Sequence, residues 1–508
     1  MDKMINETPS LNMPANEFKN AGHILVDQIS SFLEDLPDKK VTTGAKPRDI
    51  QMLLGDLSLP EKGEDTVTII NEATKLLFDH SLFNGHPKFW GYITSSGAPI
   101  GALADLLAAS VNANVGAFAL SPMATEIEKQ TIQWLAELIG FPKDSGGLFV
   151  SGGNMANFLG FLAGRRHKIE GDIRKDGLPE ITIDPSKNTT GYKEKRRYTV
   201  YCAKGTHTWI HKATDLFGHG TDSIRWIDCL HDQQMNIIHL KQTIKEDKEY
   251  GHKPFLVIGN AGSVSTGVID PLNEIADFCN SENLWFHIDG AYGAPAACLP
   301  ELAENFKGLS LADSIALDPH KWLYSPLEAG CILVKNPRHL HDAFSFTPEY
   351  YNFGGNGEDA PVNFHEYGMQ NSRGFRALKV WMSLKQVGRN GLAAMIRKDI
   401  HLAKSLYELI EQTEHIEAIT NNLSITTFRF VPSINESDEY LNELNEKLLN
   451  RLQAGGEVFL SNAIVDGKYC LRVCIVNFRT NYADLETLVK IVLREGENIY
   501  NERLMQLS

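Results

Sequence analysis

The chain has 508 residues, 43% hydrophobic and 22% charged, enough apolar side chain to bury a large core, which excludes a wholly disordered chain or a single small binding module. A net charge of −15 repels nucleic acid and anionic membrane surfaces at long range, so neither is an expected partner. Seven cysteines without a CxxC pair or a zinc-like Cys/His array, the nearest pair being Cys470 and Cys474, point to a reducing, cytoplasmic setting.

The first fourteen residues show no apolar run behind a basic stretch, so no secretory signal is expected. Phe18, Ala21, Leu25, Ile29, Phe32 and Leu36 then recur at helical spacing until Pro37, giving one apolar stripe that packs either on its own chain or on a partner subunit. Residues 97–122 are too polar, with Asp105, Asn112 and Asn114, to supply the roughly 20 apolar residues of a membrane span. Between residues 97 and 335, short β-rich runs at 148–150, 198–202, 255–259, 284–288, 314–317 and 330–334 alternate with helical stretches. That alternation predicts an α/β fold with a mainly parallel sheet flanked by helices, its ligand loops beyond the C-terminal strand ends.

Residues 165–197, with Lys193, Glu194, Lys195, Arg196 and Arg197, read as a solvated insertion, because no aromatic residues interleave the charges. Residues 345–372 carry Gly354, Gly355, Gly357, Glu358, Asp359 and Pro361 between aromatic residues and read as a long mobile loop, a type often used as a lid. Helices are expected at 375–384 and 392–410, strands near 425–430 and 469–476, and a final helix from Ala483. The predicted division is an N-terminal helical arm over 1–95, a large α/β domain over 96–385 and a small α+β domain over 386–508.

Four segments carry candidate chemistry. Lys321, in Asp318-Pro319-His320-Lys321-Trp322, follows the 314–317 strand; an apolar, aromatic setting favours its use as an imine-forming amine, the alternative being an ordinary lysine at a buried edge. Asp289 ends the 284–288 strand before Gly290 and Ala291, placing one carboxylate where it either meets a protonated heterocyclic nitrogen or caps a turn. Ser151, Gly152, Gly153 and Asn154 lie between a strand and a helix and form either a phosphate-binding helix start or a plain glycine turn. His207 follows the 198–202 strand; its spacing to His211 permits a metal pair, but no co-ligand is evident, so ring stacking is expected and no metal.

Together these segments ask for a flat, phosphate-bearing, nitrogen-heterocyclic aldehyde, which pyridoxal 5'-phosphate is. The residues Asp318 to Leu323, with His287 to Tyr292 at this spacing, resemble the group II pyridoxal phosphate-dependent amino-acid decarboxylases, the family of aromatic-amino-acid, glutamate and histidine decarboxylases. The resemblance covers about residues 86–391 and implies a fold type I pyridoxal phosphate enzyme, a carboxy-lyase in amino-acid metabolism. It implies that Lys321 holds the cofactor as an imine and that Asp289 keeps the pyridine nitrogen protonated. It places His207 and Ala291 on the two ring faces, Gly153, Asn154 and His320 near the phosphate, and Asn260 near Asp289 or the ring hydroxyl. Asp318 stands where some relatives have asparagine. Tyr350 matches the family's catalytic-loop tyrosine, the acid that protonates Cα, with Tyr351 adjacent; a phenylalanine there would point to aldehyde formation.

The segment from His86 to Ile93 resembles the pocket of the aromatic branch, with Trp90, Tyr92 and Phe118 as an apolar wall and Asn114 and Gly116 making it roomier and more polar. The expected reaction is decarboxylation of an aromatic L-amino acid: tryptophan, tyrosine, phenylalanine or dopa. The alternatives are a non-aromatic substrate (glutamate, diaminobutyrate or histidine) or a related carbon–carbon lyase or aldehyde synthase. The family also implies a homodimer with the active site at the interface, and leaves open which subunit's site Tyr350 serves.

Overall fold

Continuous apolar runs form the strands of a central sheet because helices exclude water from it. The computed structural model describes residues 11–55, 58–181, 195–346, 361–433 and 436–507. The sheet comprises β1 (Gly146–Val150), β2 (Tyr198–Ala203), β3 (Ile224–Ile227), β4 (Lys253–Asn260), β5 (Trp285–Asp289), β6 (Ser314–Leu317) and β7 (Gly330–Val334), in the order β1-β7-β6-β5-β4-β2-β3. Strands β3, β2, β4, β5 and β6 pair in parallel; β7 runs antiparallel to both β6 and β1. The fold is thus the expected α/β type with one reversed strand. The register sets Asn260 beside Asp289 and Asp289 beside Ala316, so β4, β5 and β6 end side by side and their following loops converge.

The Gly153–Lys168 helix lies across β4 to β7. His287, fully buried on β5, joins the two layers: its Nε2 is 2.7 Å from Asn157 Oδ1 on that helix and its Nδ1 is 2.8 Å from Ser314 Oγ on β6. Burial lowers its pKa to about 4, which keeps the ring neutral.

A second, antiparallel sheet, β10-β11-β9-β8, contains β8 (Ile416–Asn422), β9 (Ile425–Phe430), β10 (Ser461–Val465) and β11 (Lys468–Cys474). With the Asp438–Gly455 and Tyr482–Leu507 helices it encloses a separate core around Phe428, Leu448, Val473 and Val492. The two helices expected at 375–384 and 392–410 form one element, Ala377–Glu411, whose backbone leaves helical geometry at Gly388 (φ 63°), a conformation glycine adopts without a Cβ clash. Strands β3, β8 and β10 and the Asp438–Gly455 helix are additional to the sequence reading. Arg165 to Lys168, expected in the solvated insertion, complete the Gly153–Lys168 helix, and residues 182–194 of that insertion lie outside the described residues.

The N-terminal stripe lies on the Ala15–Asp35 helix and packs partly on its own chain: the Phe32 ring stacks on Phe78 at 4.3 Å, while Phe18 is 56% exposed. No described helix is long and apolar enough to cross a membrane. All seven cysteines are free thiols.

Glu128 and Arg373 form a buried ion pair; Arg373 also donates to the carbonyls of Val115 and Phe149, and Glu128 Oε1 accepts the Phe149 amide. The pair ties the Pro122–Leu138 helix, β1 and residue 373 together. Glu128→Ala strands a buried guanidinium and is expected to destabilise the fold by about 3–5 kcal/mol, measured by urea unfolding.

Candidate active site

A cleft of about 140 Å³ opens where the loops after β4, β5 and β6 meet the start of the Gly153–Lys168 helix. Lys321, Asp289, His207, Asn260, Ala291, Gly153 and Asn154 all border it, separated by up to 168 residues in the chain. Their convergence follows from the strand register.

Lys321 sits in a tight turn closed by its amide on the Asp318 carbonyl at 2.9 Å. Its Nζ is 3.1 Å from Oδ2 of the buried Asp318, so its immediate setting is ionic, not the apolar one expected from Trp322. Trp322 turns away and is fully buried. Asp318 Oδ1 is also buried and has no hydrogen-bond partner among the described residues.

Asp289 ends β5 with both carboxylate oxygens engaged: Oδ2 accepts the Trp209 indole N–H at 2.8 Å and Oδ1 the Ala291 amide at 3.2 Å. Trp209, given no role in the sequence reading, is fully buried two residues beyond His207, and its amide donates to His207 Nδ1 at 3.2 Å. Desolvation lowers the His207 pKa, opposed by the Asp289 charge, so the ring favours the neutral form. His211 diverges from His207 and packs on Trp226, with ring centroids 5.1 Å apart. No group of metal-binding side chains occurs among the described residues.

Asn260 lies in register with Asp289, yet its side-chain amide donates elsewhere, to Thr206 Oγ1 (3.1 Å) and Asp270 Oδ2 (2.8 Å). Burial raises the pKa of Asp270, and these bonds tether the His207 loop to the end of β4. At the helix start, a Cβ on Gly153 would lie 2.6 Å from Asp318 Oδ2 and 3.3 Å from Ala291 Cβ, so glycine is required for the helix to approach both loops. His320 lies beside Gly152; its Nδ1 accepts the Ala329 amide at 3.0 Å and its Nε2 is 3.6 Å from Asp318 Oδ2.

None of the five residues expected in the substrate pocket borders this cleft within one chain, whereas Ile93 does. Trp90 is buried in the core of the second sheet, its indole donating to Thr480 Oγ1 at 3.1 Å. Tyr92 is 58% exposed and packs near Phe459. Asn114 is a backbone brace, its Oδ1 accepting the amides of Gly116 and Arg373. Gly116 does not leave room, because a Cβ there would lie 2.2 Å from the Asn371 carbonyl oxygen. Phe118 is half-buried, its amide bonded to Asn363 Oδ1. Tyr350 and Tyr351 lie outside the described residues. Tyr292, Thr206 and Asp270 were also missed; only their proximity to singled-out residues hinted at them.

The residues fit pyridoxal phosphate. An amine faces the cleft, a doubly braced carboxylate lies at the end of β5, and the glycine-lined helix start offers unpaired backbone amides to an anion. The pyridoxal-dependent decarboxylase conserved domain matches residues 47–431, and the chain belongs to that family. It is accordingly a pyridoxal phosphate-dependent decarboxylase, a carboxy-lyase of amino-acid metabolism. It is 33% identical to the aromatic-L-amino-acid decarboxylase of Bacillus atrophaeus over 95% of this chain and 96% of that one. It is 26% identical to a phenylacetaldehyde synthase of Arabidopsis thaliana, over 96% and 98%. Its fold matches the crystal structure of Catharanthus roseus tryptophan decarboxylase in complex with L-tryptophan with a TM-score of 0.84 at 24% identity, covering 96% of this chain and 100% of that one.

Gly153→Ala is expected to push the helix start off the Asp318 turn and weaken pyridoxal phosphate binding about tenfold with little change in unfolding temperature, measured by tryptophan fluorescence titration.

Proposed function

We propose that this enzyme decarboxylates an aromatic L-amino acid to its amine, with Lys321 as the cofactor lysine and Tyr350 as the proton donor to Cα. The observation that carries the reading is the single cleft bordered by the Lys321 amine, the braced Asp289 carboxylate and the Gly153 helix start. When bound, pyridoxal phosphate supplies an electron sink for the pair left behind as CO₂ departs. In this reading Asp289 holds a proton on the pyridine nitrogen, and the Trp209 N–H and Ala291 amide keep its oxygens aimed. His207, favoured neutral by desolvation, would cover the bound ring without adding charge, and the small Ala291 at the same cleft would leave room for it. Backbone amides of Gly153 and Asn154, with His320 beside Gly152, receive the phosphate. Asn260 fixes the adjoining loop through Thr206 and Asp270. Lys321 would hold the cofactor through its Nζ, with Asp318 Oδ2, 3.1 Å away, orienting that nitrogen. Tyr350 O–H would be the group that supplies the proton to the substrate Cα.

The substrate class rests on the Bacillus relative and on the apolar Ile93 and Val264 at the cleft. The Arabidopsis relative supports a second reading, aldehyde formation, against which the phenol of Tyr350 argues. A homodimer with the active site at its interface is supported by the Pro99–Val111 helix, which leaves Leu103, Leu106, Leu107 and Val111 each at least half exposed on an apolar surface that water disfavours. Free thiols at all seven cysteines support a cytoplasmic location.

Incubating the cofactor-loaded enzyme with pooled L-amino acids should yield tryptamine, tyramine, phenethylamine or dopamine by mass spectrometry; an aldehyde or a non-aromatic amine overturns the corresponding part. Lys321→Ala should abolish the visible absorbance band of the lysine-bound cofactor. Tyr350→Phe should cut amine formation by about 10²-fold and raise aldehyde formation.

A further inference from the structure

The turn that carries Lys321 is built from three constrained residues. Lys321 accepts the Tyr324 amide at 3.1 Å, Trp322 is fully buried, and Tyr324 sits at φ 54°, a left-handed conformation that an aromatic side chain rarely adopts. Such a backbone persists only where its surroundings hold it. The Tyr324 hydroxyl and the Trp322 indole N–H both donate to the same atom, Oδ2 of Asp399, at 2.6 and 3.0 Å. Asp399 comes from the second half of the Ala377–Glu411 helix and is completely buried. Trp322, held on that side, stacks on Tyr292 at 4.9 Å with the rings 13° apart, and Tyr292 borders the cleft. The Tyr292 hydroxyl lies 2.6 Å from Ser424 Oγ, immediately before β9.

We propose that Asp399 is the positioning residue of the Lys321 turn: one buried carboxylate oxygen clamps the side chains on either side of Leu323, holds Tyr324 in its left-handed conformation and so sets the direction in which Lys321 enters the cleft. The proposal rests on the reading of Lys321 as the cofactor lysine. Asp399 touches neither the cleft nor Lys321, so it acts through Trp322 and Tyr324.

Burial pushes the Asp399 carboxyl up to about 7, against the opposing hydrogen bonds of Tyr324 and Trp322 and the charge of Lys398. The other titratable groups in its field lie far from neutrality: burial pushes the Tyr324 and Tyr292 phenols well above their ordinary value and the Cys474 thiol up to about 11. Ionisation of Asp399 strengthens the clamp but opposes folding. Because its folded-state pKa is raised, its contribution to stability is full below the ordinary carboxylate value of 3.8 and is lost as pH rises through about 7.

The test uses the full-length holoenzyme. Visible circular dichroism of the lysine-bound cofactor, cofactor affinity and unfolding temperature are followed from pH 5.5 to 8.5 in wild type, Asp399→Asn, Tyr324→Phe and the double variant. At pH 8 each single variant is expected to weaken cofactor affinity about tenfold and diminish the dichroism, with a less than additive loss in the double variant because both weaken one clamp. The wild-type dichroism should rise with a midpoint near pH 7 that Asp399→Asn abolishes, while Asp399→Asn keeps or gains unfolding temperature at pH 8. Lower unfolding temperature in both variants with wild-type affinity, dichroism and pH profile overturns the proposal and leaves Asp399 a core residue. If Asp399→Asn does not fold, Tyr324→Phe, which removes one hydroxyl, decides by the same readouts. A wild-type band that survives Lys321→Ala overturns instead the assignment of Lys321.

Discussion

In-register parallel pairing of β4, β5 and β6 is the constraint on which the site depends. The side chains of a strand alternate between faces, so a slip of one residue in β5 would turn Asp289 away from the cleft and take His287 off the face covered by the Gly153–Lys168 helix. The slip is prevented from both sides, because His287 is bonded to Asn157 on the covering helix and to Ser314 on β6. Asn260, Asp289 and the Asp318–Lys321 turn therefore arrive at one edge without being near one another in the chain.

The second consequence is electrostatic. Each charged group at the cleft already has a partner in the protein: Lys321 has Asp318, and Asp289 has the Trp209 indole and the Ala291 amide. A buried charge without a partner is costly, so a site that must receive a phosphate and a charged ring is cheaper to maintain when ligand binding exchanges partners. The start of the Gly153–Lys168 helix adds a fixed positive potential for the anion, and the glycine there lets it come within contact of the Asp318 loop.

The second sheet is more than an appendage to this arrangement. Ser424, in the turn between β8 and β9, and Asp399, on the Ala377–Glu411 helix that packs against this sheet, reach back to the cleft by hydrogen bonds to Tyr292 and to Trp322 and Tyr324, each joining positions at least 75 residues apart. These contacts are polar and buried, and polar bonds of that kind fix orientation more strictly than apolar packing does, since a displaced partner leaves an unsatisfied group.

The sequence by itself determined the α/β alternation, six of the seven strands of the large sheet, helical character on both sides of Gly388 and seven of the residues that meet in the cleft. Those features are written locally: apolar runs of strand length, helical periodicity, and strand-end motifs that must face the same edge once the strands are parallel. Only the tertiary structure decided how close segments with no shared motif come to one another. Trp90 and Tyr92 belong to a segment that packs against the second sheet, Gly116 is small because the Asn371 carbonyl occupies the space beside it, and Asn114 braces backbone amides. The roles of Trp209 and Asp399 were likewise invisible, because one indole and one carboxylate in a helix read as ordinary until the chain brings each against a group 77 to 80 residues away. Periodicity reports which face of an element is buried; what it is buried against is a long-range packing outcome that no local pattern encodes.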